Sequence, residues 1–203
     1  MCLSSGMFDT TRRNSVSGCT FSTSKELIDY CKPIRQGWYR CQAIAGGAEK
    51  LKRDQCRKAC IAAAAAAKTE KDQYRRVAVL AWPIQTMFNA RLVREANTLL
   101  EYALEESKTV VPSNSRAYAL GLLCQHAWDM NESYRRDILT RLYEMIDSVP
   151  GWRIARECDW ITKKLDRAGD TEFVDGLLKD CKNEWLIGRI ERDRAMRQAS
   201  KGN

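Results

Sequence analysis

Histidine occurs once in this 203-residue chain, proline four times and glycine 11 times. A single histidine, His126, excludes any metal site built on several imidazoles. It also forces any Ser-His-Asp or Cys-His arrangement through that one residue. Cys124-Gln125-His126 cannot bring thiol and imidazole to one helix face, because adjacent helical residues point roughly 100° apart. His126 is therefore expected in the core or facing a partner. Alternating Val/Ile/Thr/Tyr runs between glycine turns are almost missing, which excludes a β-rich fold. No Gly-x-Ser-x-Gly, Walker loop or Gly-x-Gly-x-x-Gly occurs, and Gly46-Gly47 alone reads as a turn. The apolar run Ile61–Ala67 is too short to span a bilayer. The opening MCLSSGMFDTTRR lacks the apolar core of a secretory signal. Carboxylates lie scattered on polar faces. The expectation is a non-enzyme with no catalytic residue, cofactor or metal.

What the chain has is helix formers: Ala, Leu, Arg, Lys, Glu and Gln. It also has nine cysteines, an odd number and unevenly spaced. They read as reduced, buried small hydrophobes rather than a disulfide framework. Cys56-x-x-x-Cys60 sets two thiols on one helix face, with Cys31 and Cys41 as possible further metal ligands. The pair falls on an apolar stripe, so core packing is the expectation. Net charge is +8, and all of it sits in residues 1–76, which hold 15 Lys/Arg against 7 Asp/Glu. The remainder is balanced. Lys50, Lys52, Arg53, Arg57, Lys58, Arg75 and Arg76 form the candidate basic binding surface, suited to a phosphate backbone, an anionic lipid head or an acidic protein.

Residues 1–22 read as a flexible tail rich in Ser, Thr and Gly. Arg12-Arg13-Asn14-Ser15 fits a basophilic kinase pattern, making Ser15 a candidate phosphosite. The same composition suits an organelle transit peptide, the alternative to a cytoplasmic or nuclear location. Residues 23–72 read as a basic, cysteine-rich helical cap. It opens with a capping box at Thr23–Glu26 and has a stretch stopped by Gly46-Gly47. A long helix with the alanine run Ala62–Ala67 follows. Residues 73–187 hold three helical hairpins, continuous with the cap as one domain. Pro83 should kink the first of them, Ser113 or Asn114 can cap the second, Pro150-Gly151 closes it, and Asp170 can cap a helix in the third. Residues 188–203 read as a polar helix end or tail. Trp82, Trp128, Trp152, Trp160 and Trp185 lie in or beside apolar stripes, so core packing is their expected role.

The hairpins recur every 38 to 40 residues: Arg76-Val77-Ala78-Val79-Leu80-Ala81 aligns with Arg116-Ala117-Tyr118-Ala119-Leu120-Gly121. One hairpin cannot bury its apolar stripe alone, so neighbours must stack. Leu92-Val93-Arg94-Glu95-Ala96 resembles the Val-Arg-x-x-Ala theme of HEAT-like repeats, and Pro83 resembles the proline of their first helix. The resemblance spans about residues 73–186. It implies a short α-solenoid that acts as a binding scaffold. An irregular helical bundle is the alternative. The function expected is a non-enzymatic scaffold that binds another macromolecule, foremost a protein. The alternative is nucleic-acid binding through the basic third. If a binding surface exists, the meeting of the basic cap and the neutral hairpins is the first place to look.

Overall fold

The computed structural model describes residues 5–147 and 152–200. Among these, the chain is all helical: α1 (Ser5–Ser15), a 3-10 turn at Val16–Gly18, α2 (Ser24–Cys31), α3 (Gly37–Ala48), α4 (Arg53–Ala67), α5 (Gln73–Ala78), α6 (Ala81–Asn89), α7 (Val93–Ser107), α8 (Ser113–His126), α9 (Glu132–Ile146), α10 (Trp152–Arg167), α11 (Thr171–Asp180) and α12 (Glu184–Ala199). No helix among them is long and apolar enough to cross a membrane. The expected Pro150-Gly151 stop lies outside the described residues.

Successive antiparallel pairs build the molecule. Helix α3 packs on α4, α6 on α7, α8 on α9, and α10 on α11. The first helix of each pair also contacts the first helix of the next: α3 touches α6, α5 and α6 touch α8, α8 touches α10, and α10 touches α12. One apolar core runs through these contacts, from Leu27 and Ile44 through Leu80, Leu100 and Leu120 to Ile161 and Ile190. Alanine sets the tightest of them. Ala59, Ala63 and Ala67 of α4 are fully buried, and their small side chains let α3 approach closely.

Thr23 caps α2 through the amide of Glu26, at 3.2 Å. The Glu26 carboxylate reaches back to the Ser22 amide. Pro33 follows the end of α2. The expected kink at Pro83 takes another form. The first helix breaks into α5 and α6 at Val79-Leu80, because Pro83 has no N–H to donate to the Val79 carbonyl one turn earlier. That carbonyl accepts the Trp82 amide at 3.3 Å instead, in a tighter turn, and the Cys41 thiol at 3.6 Å. Helix α6 ends at Asn89, where Arg91 adopts a left-handed φ of 60° and the Leu92 amide bonds back to Met87, a Schellman-type stop.

Several expectations need correction. The segment expected as a flexible tail carries α1. Asp9 is fully buried there and accepts the backbone amides of Arg35 and Gln36 at 3.2 and 2.9 Å. A short polar stretch with no apolar period is thus held by one carboxylate, a signal that periodicity does not register. Gly46-Gly47 does not stop α3, which runs through both to Ala48. Ser113 and Asn114 lie inside α8, after Pro112. Asp170 precedes α11 but makes no side-chain cap. Its carboxylate is drawn to Arg136 instead, with Nε at 2.9 Å. The C-terminal segment is a full helix. Leu186 and Ile190 of α12 are buried, and Asp166 of α10 binds Arg194 and Arg197 across the interface.

Candidate binding surfaces

The basic residues singled out by sequence do not form one patch. Lys50, Lys52, Arg53, Arg57 and Lys58 are exposed and make no ion pair among the described residues. Lys50 donates to the Ser17 carbonyl, and Arg53 to the Arg91 carbonyl at 2.9 Å. These five lie before or early in α4. Arg76 is half-buried, with Glu106 at 3.5 Å and the Glu70 carbonyl at 3.4 Å. Glu70 lies beyond the other end of α4, and that helix of 15 residues is roughly 22 Å long. Arg75, exposed on α5, goes with Arg76.

Beside the first group lies a groove of about 610 Å³ between α4 and α7. Its floor is apolar: Ile61, Ala64 and Ala65 from α4, Met87 from α6, and Leu99 from α7. Ile61 is 54% exposed, which is unusual for a β-branched aliphatic in the middle of a packed helix. Lys68 and Arg94 stand on the rim, with Glu95 as the only acid in the lining. The Lys68 ammonium sits 4.6 Å from the centre of the Tyr102 ring. Arg57 and Lys58 precede Ile61 by four and three residues, so they share its face of α4. The cap meets the hairpins here.

Ser15 ends α1 and is exposed. Its hydroxyl bonds the Arg12 carbonyl and contacts the Tyr30 hydroxyl, each at 2.8 Å. Arg12 donates to the Tyr30 carbonyl and lies over its ring, and Arg13 reaches Gln42. Both arginines of the kinase pattern are therefore engaged within the chain.

The cysteines in view are free thiols, and six of them are buried. Cys56 and Cys60 lie with their sulfurs 4.0 Å apart. The contact with Cys56 and burial together push the Cys60 thiol far above its ordinary range. Burial raises Cys31 and Cys124 to about 12. Thiols so raised are poor nucleophiles. Cys41 is turned to Val79, and no group of three His, Cys, Asp or Glu among the described residues could hold a metal ion. His126 packs its ring 4.8 Å from that of Trp82 and sets Nδ1 2.6 Å from Gln85. Burial lowers its pKa below 6.5.

A second surface went unseen in sequence. Rings of successive first helices touch one another: Trp38 with Trp82, Tyr74 with Tyr118, and Trp82 with His126, each pair 44 residues apart. Trp38 also stacks on Tyr74 at 6.2 Å. The row continues to Arg156, whose guanidinium lies 5.5 Å from the Tyr118 ring and 5.0 Å from the Trp152 ring. Trp152 is 66% exposed and Trp185 52%, so these two are not the core residues expected. The 44-residue spacing was the available signal. A search tuned to aliphatic stripes settles on 38 to 40 and passes over it.

The chain matches no family model, no curated protein and no solved structure.

Proposed function

We propose that this protein is a non-enzymatic helical scaffold. In this reading its hairpins stack as a short HEAT-like α-solenoid, and it binds a partner protein by taking an acidic amphipathic helix into the groove between α4 and α7. The single observation that carries the reading is an apolar floor, with Ile61 exposed, bounded by Lys68 and Arg94. An amphipathic helix buries its stripe on such a floor at i, i+3, i+4 and i+7 spacing. Carboxylates flanking the stripe would meet Arg57, Lys58, Lys68 and Arg94, which favours acidic partners and speeds encounter. The solenoid reading is supported by contacts between first helices from α3 to α12.

Calorimetric titration with a helical peptide carrying a leucine stripe flanked by glutamates tests this. Binding is expected. It should weaken at least tenfold, about 1.4 kcal/mol, with Ile61→Glu, and again with a lysine-flanked peptide. Equal binding of both peptides, or of neither, defeats the reading. The alternative is nucleic-acid binding through the basic third, favoured by the unpaired Lys52, Arg57 and Lys58. It requires salt-dependent retention of mixed-sequence RNA or DNA, and no retention at low salt ends it.

A further inference from the structure

We infer that the cavity among the starts of α5, α8 and α10 binds a nucleotide unit, a planar base joined to a phosphate. The cavity measures about 350 Å³, at the small end of ligand-sized pockets. Three rings line it: Tyr74, Tyr118 and Trp152. Tyr118 is 41% exposed and Trp152 66%, so each ring keeps open surface beyond the side that meets Arg156. Exposed aromatic rings beside a guanidinium form a platform for a base. Arg156 supplies that guanidinium. Its Nε and one terminal nitrogen are held by Glu157 at 3.3 and 3.1 Å, which fixes the plane and leaves the other terminal nitrogen for a ligand.

The anionic end has its own partners. Arg153 lines the cavity and makes no ion pair among the described residues, and its guanidinium carbon lies 5.9 Å from the centre of the Trp152 ring. Pro112, ahead of α8, offers no side chain to cap the first turn; its carbonyl takes the Ser115 and Arg116 amides, and the Ser113 and Asn114 amides before them can donate to a phosphate oxygen. One group asks for something more specific. The Asn114 side-chain oxygen is buried without a hydrogen-bond partner, a costly state. Asn114 also lines the cavity, so a small turn of its side chain would bring that oxygen to a ring N–H or exocyclic amine of a base. Aromatic rings, an arginine with no ion pair among the described residues and the side chain that carries an orphan acceptor therefore border one small cavity, away from the groove between α4 and α7.

The nucleotide could be free or part of a single strand, and titration separates the two. The probes are AMP, adenosine, inorganic phosphate, a short single-stranded oligoadenylate and its duplex, followed by calorimetry and by amide shifts in α8. AMP should bind, with adenosine and phosphate each at least tenfold weaker. Tyr118→Ala and Arg153→Ala should each weaken AMP at least tenfold with an unchanged melting curve. Tyr118→Phe should keep the affinity. An oligomer that binds far tighter than AMP marks a strand site, and equal affinity marks a free nucleotide. Failure of both AMP and the single strand at low salt, phosphate binding as tightly as AMP, or preference for the duplex overturns the inference. So does unchanged binding by Tyr118→Ala.

Discussion

Three glycines of α3 provide a test of how closely that helix is packed. Gly46 is exposed, and a methyl group added there meets nothing within 4 Å. At a mid-helix position, alanine should gain about 0.8–1 kcal/mol. Gly47 is its neighbour on the same helix and carries the same backbone gain. Its added methyl would run into the Leu27 side chain, with Val16 at 3.0 Å as well. Leu27 is fully buried and has nowhere to swing, so overpacking of about 1–3 kcal/mol opposes the gain. Because the propensity term cancels between neighbours, the difference between Gly46→Ala and Gly47→Ala isolates packing. In a chain of this size each kcal/mol moves the melting temperature by about 2–4 °C. Gly46→Ala should raise it by about 2–4 °C, with Gly47→Ala lying about 2–12 °C below that variant. Gly37→Ala should fall below wild type. It opens α3, where propensity counts for little, and its methyl meets the Ala66 carbonyl and the Thr69 hydroxyl, the latter at 2.6 Å. Backbone cannot yield as a side chain can. Melts followed by circular dichroism give the ranking. Equal shifts for Gly46→Ala and Gly47→Ala would refute the close approach of α2 and α3. Losses for both would mean that the pair is needed as a turn.

Asp9→Ala removes two charge-assisted bonds from a buried carboxylate to the Arg35 and Gln36 amides, so α1 should open more easily by about 2 kcal/mol or more. Hydrogen exchange in α1 would then speed by about 30-fold, with faster tryptic cleavage after Arg12 and Arg13 and readier phosphorylation of Ser15 by a basophilic kinase; unchanged exchange contradicts the anchor. His126 has a folded pKa below its unfolded 6.5, so the unfolded chain binds more protons between those values. Stability should therefore fall as pH drops from 6.5 toward the folded value, and His126→Gln should flatten that slope in urea melts. Burial pushes Asp166 up, but Arg194 and Arg197 outweigh it and hold the carboxyl below 3.8; the Arg167 contact lowers Asp193 likewise. Their stabilisation is present above 3.8 and is lost as pH falls through the folded values. Amide protection of α12 should disappear there while α3 remains protected, and Asp166→Asn should reproduce the loss at neutral pH.

The helices were legible because their apolar residues recur at three-to-four spacing, as in Leu92, Ala96, Leu99, Leu100 and Ala103. Misreadings arose where a polar group carries the structure. Asp9 anchors α1 through backbone amides, which no pattern of apolar residues records. Gly46-Gly47 reads as a turn until Leu27 is seen packed against Gly47, and only then does a glycine inside a helix have a reason. Two of the seven basic residues lie near the groove, because Arg57 and Lys58 fall one turn before Ile61. Arg75 and Arg76 are close in charge and in sequence but lie past the other end of α4. Charge counted along a chain does not report which end of a helix it occupies.

The break at Val79-Leu80 links the two surfaces. An unbroken helix through Gln73–Asn89 would hold one direction and present one face to its neighbours. Pro83 withholds the hydrogen bond that would carry the helix across; the Val79 carbonyl takes the Trp82 amide and the Cys41 thiol, and the thiol ties the break to α3. The two halves share their neighbours but weight them differently: α5 packs mainly on α8, and α6 mainly on α3, α4 and α7, although α6 also touches α8 and α5 also touches α7. Tyr74, on α5, joins the aromatic row through Tyr118. Met87, on α6, reaches the floor of the groove beside Ile61. The residues that build the two surfaces thus lie on either side of a break at which one proline lacks its N–H. Pro83→Ala would supply that donor, and its competition with the Trp82 amide and the Cys41 thiol for the Val79 carbonyl should disturb both surfaces together. Amide shifts spreading from α6 into both α4 and α8 would bear this out. Shifts confined to residues next to position 83 would show that the break is fixed by packing around Leu80 and Ile84 rather than by the proline.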